Sequence, residues 1–146
     1  MEDLRAALES LLDEAIALDR ATKGNVQVIE DGVLRIAVQR GFDEAFLRHF
    51  AVVRVDDGCA CGRALKEKSA VLIADVAVEP SFVPFRDILE ASAVRSVKSV
   101  PLIDPEGRVI GMMSTHSPSV RWDWERENTR HVAVRLAALL SARQPR

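Results

Sequence analysis

Apolar residues recur at spacings of three and four near both ends of the chain, which is the period of an amphipathic helix. We predict an N-terminal helix over about residues 2–19 and a C-terminal helix over about residues 123–142, with Asp123 as the N-cap of the second. Each helix has one apolar stripe to bury, formed by Leu4, Leu8, Leu11, Leu12, Ala15 and Leu18 in the first and by Val132, Leu136, Leu139 and Leu140 in the last.

Between these helices the pattern changes to the short apolar runs and alternation that are typical of strands. Residues 26–38 carry β-branched side chains on both sides of Asp31-Gly32, a strong hairpin-turn signal. A second hairpin is predicted around the turn sequence DPEG, from residues 94–103 to residues 107–117, and a buried strand ends at Asp75. Short helical segments are predicted within residues 42–50, where Asp43 is an N-cap, 61–68 and 79–92.

Strands that group as hairpins favour an α+β fold with an antiparallel sheet over a parallel βαβ arrangement. We expect the terminal helices to cover one sheet face, and the short helices and loops between Gly41 and Ala93 to cover the other. Irregular segments over a sheet commonly enclose a small-molecule pocket. Because no compositional shift marks a linker, the pattern predicts a single domain over residues 1–146 with a core over about residues 24–116.

The composition is that of a soluble globular chain, with 48% apolar and 29% charged residues among 146. A formal net charge of -2 lacks the basic excess of nucleic-acid-binding proteins, so no nucleic-acid partner is expected. The acidic N-terminus is not a signal peptide, and no apolar run is long enough to span a membrane. We therefore expect a cytoplasmic protein, with no membrane partner, whose thiols meet a reducing environment.

Both cysteines of the chain, Cys59 and Cys61, lie in the segment DDGCACGRALKEK. A structural zinc site needs four ligands, and the three histidines have no suitable spacing, so no metal site is predicted. A catalytic thiol is a sharper hypothesis, because Cys61 precedes Gly62 at a predicted helix start, where the helix dipole favours thiolate, and His116 could serve as its base. Two small buried residues beside a turn are the structural alternative.

The candidate ligand site lies on the loop-covered sheet face. Arg86 could meet an anionic ligand, or it could be a surface arginine lying over apolar neighbours. His116 ends an apolar strand, where a partly buried histidine is common. The predicted ligand-binding residues are Cys61, Asp75, Phe82, Phe85, Arg86 and His116. No catalytic residue is assigned, because no Ser-His-Asp pattern, phosphate loop, dinucleotide fingerprint or HExxH motif is present.

Three stretches together resemble the GAF domain of bacterial sensor histidine kinases and related signalling proteins. KGNVQVIEDGVLRIAVQRGFDEAFLRHF is similar to the first hairpin of that family with its RGF turn and helix. GCACGRALKEKSAVLIADVAVEPSF is similar to its C-G-x-A helix, its strand ending in Asp-Val and its P-x-F loop, and VRSVKSVPLIDPEGRVIGMMSTHS to its last hairpin. The resemblance extends from about Asp13 to Ala142.

The resemblance implies five or six antiparallel strands between helices, a pocket for a small ligand, and output through the terminal helices, commonly in a dimer. It also implies a histidine kinase or another signalling output domain as a partner. Many non-catalytic members carry the same pair as Cys61-Gly62. No attachment pattern for bilin or haem is present, so no cofactor is expected, and STHSPSVRWDWE departs from the cyclic-nucleotide signature of the family.

One enzyme of this family, free methionine-R-sulfoxide reductase, has a cysteine at the position that matches Cys61. It uses a further cysteine upstream of the P-L strand, where the matching position here is Glu90. We therefore expect a non-catalytic sensory domain that binds a small molecule and forms a homodimer through its terminal helices. A thiol-dependent reductase and a protein-interaction module without a ligand are the alternatives.

Overall fold

The computed structural model describes residues 2–143. Met1 and residues 144–146, which belong to the predicted single domain, lie outside the described residues. The elements are, in order, α1 (Glu2–Leu18), β1 (Lys23–Glu30), β2 (Val33–Arg40), α2 (Glu44–His49), β3 (Val52–Val53), α3 (Ala60–Glu67), β4 (Val71–Ile73), a 3-10 helix (Pro80–Phe85), α4 (Arg86–Ala91), β5 (Ser96–Ile103), β6 (Val109–Ser117) and α5 (Arg130–Arg143).

A six-stranded antiparallel sheet forms the centre of the fold, with the strand order β3-β2-β1-β6-β5-β4. The β1–β2 hairpin turns at Asp31 and Gly32, which have φ angles of 53° and 78°. Positive φ at both central residues is what a tight type I′ turn requires, and Asp-Gly supplies it at low cost. The predicted α+β fold with an antiparallel sheet is confirmed.

Each sheet face has its own apolar core, and the terminal helices cover one of them. On that face α1 and α5 lie side by side and bury Leu8, Leu12, Val132 and Leu136 against the strands. The opposite face is covered by α2, α3, the 3-10 helix and α4, with buried Phe42, Phe46, Phe50, Phe82, Leu89 and Val94. Asp43 caps α2, because its Oδ1 accepts from the Phe46 backbone N–H at 2.9 Å.

The C-terminal helix begins at Arg130, so the prediction that it starts at about residue 123 with Asp123 as N-cap is wrong. The Asp123 carboxylate instead accepts from Arg20 at 2.9 Å and from Arg121 at 3.0 Å. Asn128 and Thr129 turn their side chains to Lys98, at 2.6 and 3.0 Å. These tertiary bonds hold the segment before Arg130 in an irregular conformation.

One further boundary differs from the prediction, at the end of a strand. The strand β4 ends at Ile73, two residues before the predicted end at Asp75, because the Asp75 carboxylate binds Arg95 and the Ala77 backbone N–H.

None of the helices that the structure describes combines the length with the hydropathy that a membrane span requires.

Candidate functional site

A cavity of about 30 Å³ lies under the loop-covered sheet face, between the central strands and the short helices. We call it the central cavity. Its outer wall is apolar and includes Phe46, Phe50, Phe82 and Leu89. A volume of this size holds roughly one or two water molecules in this conformation. A larger ligand therefore requires the short helices to move outward.

Five buried polar side chains from β1, β5 and β6 form the inner wall, which we call the polar floor: Asn25, Gln27, Ser99, Ser114 and His116. Asn25 and Ser99 both pair with Ser114 across the sheet, so these three form one cross-strand row. Successive side chains of a strand point to opposite faces. Val26 accordingly packs in the helix-covered core while Asn25 and Gln27 face the cavity.

Three atoms of the polar floor have no hydrogen-bond partner among the described protein atoms: Asn25 Oδ1, Gln27 Oε1 and His116 Nδ1. Their residues are only 4%, 1% and 6% exposed, respectively. The hydroxyls of Ser99 and Ser114 bond each other at 2.7 Å. Buried polar atoms are paired in the great majority of cases, and each one left unpaired costs about 1–3 kcal/mol. Three such atoms around one cavity therefore indicate a site that binds polar groups.

His116 is a neutral imidazole in this site. Burial lowers the pKa of its side chain to about 3, and the hydrogen bond with the Lys23 backbone raises this pKa by less. The ring packs edge-on against Phe42, with 4.9 Å between ring centroids. Nδ1 of the ring has no hydrogen-bond partner among the described protein atoms. A neutral imidazole has one nitrogen that accepts and one that donates, so His116 can offer an acceptor and adds no charge to its surroundings.

The two thiols lie at one end of the cavity, with Cys59 Sγ and Cys61 Sγ 3.4 Å apart. The hydrogen bond with Cys59 and then burial raise the pKa of Cys61 well above its ordinary value. The same hydrogen bond lowers the pKa of Cys59, which precedes α3. The expectation that the helix start favours a Cys61 thiolate is therefore wrong, because the hydrogen bond with Cys59 and burial both raise the pKa of Cys61.

Packing explains the glycine of the Cys61-Gly62 pair. A Cβ atom at Gly62 would lie 2.8 Å from the Arg54 carbonyl oxygen, closer than a side chain tolerates. Gly62 thus lets α3 approach the preceding loop and hold both thiols over the sheet.

Within residues 2–143, His, Cys, Asp and Glu side chains form no group of three or more that is placed to hold a metal ion.

The structure brings together three of the six predicted ligand-binding residues, since Cys61, Phe82 and His116 line the central cavity. Phe85 lies behind this wall, with its ring centroid 5.6 Å from that of Phe50. Arg86 is exposed at the start of α4. The Asp75 carboxylate accepts from Arg95 at 2.6 and 3.0 Å, and this bond lowers the pKa of Asp75. Both predicted charged residues therefore lie outside the cavity lining.

Sequence analysis missed four residues of the polar floor, namely Asn25, Gln27, Ser99 and Ser114. Their signal was present in the chain. Asn25 and Gln27 alternate with valines in a strand for which both faces were predicted to be covered. A polar side chain on a covered face must be buried, and buried polar groups at alternate positions indicate a polar site. The predicted ligand-binding residues instead lie mainly in the short helices and loops.

A family model described as "GAF domain" matches residues 1–141. No curated protein matches the sequence.

Several solved structures share the fold at low sequence identity. The GAF domain/HD domain protein from Geobacter sulfurreducens superposes with a TM-score of 0.78 at 16% identity, over 96% of this chain and 93% of that one. A domain described as belonging to a two-component sensor histidine kinase from Sinorhizobium meliloti 1021 gives 0.69 at 15%, over 92% and 85%. Type II free methionine-R-sulfoxide reductase from Thermoplasma acidophilum gives 0.76 at 18%, over 99% and 96%. At these identities the similarity concerns the fold alone.

Proposed function

This chain belongs to the GAF domain family, and on that premise we propose that it is a sensory domain without catalysis of its own, which binds a small molecule in the central cavity. The observation that carries the proposal is the set of three buried, unpaired polar atoms on Asn25, Gln27 and His116. A ligand site needs apolar walls with a few convergent polar groups, and the cavity has both. Cys61 and Phe82 would contact the ligand from the wall.

The strands β5 and β6 supply a physical route from the cavity to the terminal helices. Ser99 and Ser114 face the cavity, and their sequence neighbours Lys98 and Thr115 face the other side of the sheet. Both of these neighbours bind the carboxylate of Asp19, directly after α1, at 3.0 and 2.8 Å. A shift of these strands on ligand binding would therefore displace the junction of the terminal helices. We propose that the helices pass this change to a signalling output domain, such as a histidine kinase in a two-component system, in the cytoplasm.

A homodimer through the terminal helices is part of the same proposal. Most of each apolar stripe is buried within one chain, including Leu8 and Leu136. Among the described residues of these helices, the large apolar side chains that stay exposed are Leu18 and Val134, at 42% and 60%. A second copy would bury this surface and bring two pairs of terminal helices together, as a two-fold assembly requires.

Native mass spectrometry of freshly purified protein tests ligand binding. We expect a retained mass of a small organic molecule, lost on denaturation. The variant Ala60→Leu fills the cavity wall and should lose the retained mass, whereas Ala77→Leu, at an exposed alanine away from the cavity, should keep it. The proposal would be contradicted if the protein retained no small molecule and if the NMR resonances of the cavity residues responded to no member of a small-molecule library. That result would favour the interaction module, for which the small cavity volume is the supporting observation.

A reductase is the second candidate function, supported by a fold shared with a methionine-R-sulfoxide reductase and by the pair of adjacent thiols. In such a reaction two thiols are oxidised to a disulfide while the sulfoxide oxygen leaves as water. The raised pKa of Cys61 opposes it, because the nucleophile is the thiolate. The sensory function is therefore the one that the geometry supports better.

A further inference from the structure

The lining of the central cavity carries information about the chemical class of its ligand. Among the described residues that line it there is no lysine, arginine, aspartate or glutamate. His116 adds no charge, since burial lowers its pKa to about 3. Transfer of an ion from water to such an environment is strongly unfavourable unless an opposite charge compensates it. The cavity therefore discriminates against both anions and cations.

Three charged residues outside the cavity lining supply no opposite charge to a ligand at the polar floor. Lys23 precedes the polar floor on β1, but its Nζ donates to the Ser92 carbonyl oxygen and lies over the Phe42 ring. Asp75 is paired with Arg95 outside the lining. Arg86 is exposed to solvent. An anionic ligand would thus find no partner of opposite charge at the polar floor.

Two of the three unpaired atoms of the polar floor are amide oxygens, which accept hydrogen bonds. A hydrogen bond with the Gln27 side chain lowers the pKa of the Cys61 thiol, which is the effect of an amide N–H that donates to sulfur. That bond leaves Gln27 Oε1 as the unpaired end of the amide. Asn25 Oδ1 and His116 Nδ1 are the other two unpaired atoms. A complementary ligand must supply N–H or O–H donors to this side of the cavity.

The opposite side of the cavity is apolar and aromatic. Phe46, Phe50 and Phe82 form most of it, together with Leu89, and all four are less than 9% exposed. A ligand that fills the cavity would therefore need a small apolar part opposite its donors. Deepening the proposed function, on which this inference rests, we propose that the ligand is a small uncharged molecule that donates hydrogen bonds to Asn25, Gln27 and His116 and places an apolar group against the phenylalanine wall.

Four molecules of the same heavy-atom count test charge and donor capacity separately. Acetamide is neutral and donates, acetate is an anion, acetamidinium is a cation, and acetone is neutral but only accepts. Each is titrated into the 15N-labelled full chain, and the side-chain amide resonances of Asn25 and Gln27 and the backbone amides of the polar floor are followed. We expect acetamide to shift these resonances with an apparent affinity at least tenfold higher than that of each of the other three.

The outcomes separate this inference from the proposed function. Equal or tighter binding of acetate or acetamidinium would overturn the uncharged class and leave small-molecule sensing in place. Equal binding of acetone would overturn the requirement for donors. If none of the four causes shifts at up to several hundred millimolar and native mass spectrometry shows no retained molecule, both proposals are overturned. If none causes shifts but a molecule is retained, this inference alone is overturned.

Variants locate the binding on the polar floor. Gln27→Met keeps the side-chain length and removes the acceptor, and Asn25→Leu keeps the number and branching of the side-chain heavy atoms while it removes the amide. Either change should weaken the acetamide response at least fivefold. Ser92→Ala is the matched control, because the Ser92 hydroxyl is also buried and unpaired but does not line the cavity. An unchanged acetamide response in a folded Gln27→Met or Asn25→Leu variant would overturn the assignment of the acceptors.

Discussion

Lys98 Nζ lies 3.0 Å from Asp19 Oδ1, and the two side chains are only 0% and 1% exposed. The ammonium group also donates to Asn128 Oδ1 and Thr129 Oγ1, and Asp19 Oδ2 accepts from Thr115. This buried network joins the end of α1, the start of α5 and two central strands. Such a network is stable only because its hydrogen bonds offset the cost of removing both charges from water.

Replacement of Lys98 by methionine should destabilise the protein strongly, because it leaves the Asp19 carboxylate buried without its partner. We expect a loss of about 3–5 kcal/mol in the free energy of unfolding. Urea denaturation followed by circular dichroism measures it. The double variant Lys98→Met with Asp19→Leu should recover much of the loss, since it removes both charges. Arg20→Ala, which breaks the exposed Arg20–Asp123 pair, is the control and should change the urea midpoint little. A Lys98→Met variant as stable as the wild type would contradict the buried ion pair.

His116 should make the stability depend on pH in the acid range. Its folded-state pKa is about 3 and its ordinary value 6.5, so the unfolded chain binds a proton between these pH values that the folded chain does not. The contribution of His116 is therefore fully present above pH 6.5 and is lost as the pH falls toward 3, by at most about 1.4 kcal/mol per pH unit. Urea unfolding at several pH values should show a shallower dependence for His116→Gln than for the wild type. His131→Gln, at an exposed histidine of α5, should behave as the wild type does. Identical pH profiles for His116→Gln and the wild type would show that the folded chain protonates this imidazole as readily as the unfolded chain does.

The Cys61 thiol should be unreactive near neutral pH. Because its pKa is raised, Cys61 should be alkylated by iodoacetamide in the folded protein only at strongly alkaline pH, which peptide mass spectrometry can follow. We expect no consumption of reducing equivalents with free methionine sulfoxide above background. The variants Cys59→Ser and Cys61→Ser should keep the fold, as judged by circular dichroism. Turnover in the wild type that disappears in Cys61→Ser would instead establish the reductase.

Light scattering at micromolar concentration should report about twice the chain mass of 16.1 kDa. The variants Leu18→Glu and Val134→Glu should lower this mass, because they place charge on the apolar surface that the terminal helices leave exposed. A similar change at Leu8 would not test the dimer, since Leu8 is buried in the monomer core. Val78→Glu alters an exposed valine before the 3-10 helix, on the loop side of the fold, and should leave the mass unchanged. A monomer at every accessible concentration would remove the proposed helix-to-helix output.

Local patterns in the sequence determined most of the secondary structure. The helical stripe around Leu8 and Leu12, the Asp31-Gly32 turn and the Asp43 cap all depend on residues within a few positions of one another. The hairpin grouping of the strands then followed, and with it the α+β fold and the two covered faces of the sheet. Local conformational preference and periodicity carry this information because they act within one element.

Only the tertiary structure decided the start of α5, the buried ion pair and the polar floor. Lys98 and Asp19 are 79 positions apart, and nothing near either residue indicates that the other will meet it. Asn25, Ser114 and Ser99 become one row through strand pairing, and the partner strand cannot be read from the period of a single strand. The prediction of a thiolate at Cys61 was wrong for the same reason, since burial and contact with Cys59 depend on what α3 packs against. Periodicity determines which face of an element is buried, whereas the atoms that meet there are determined by long-range packing.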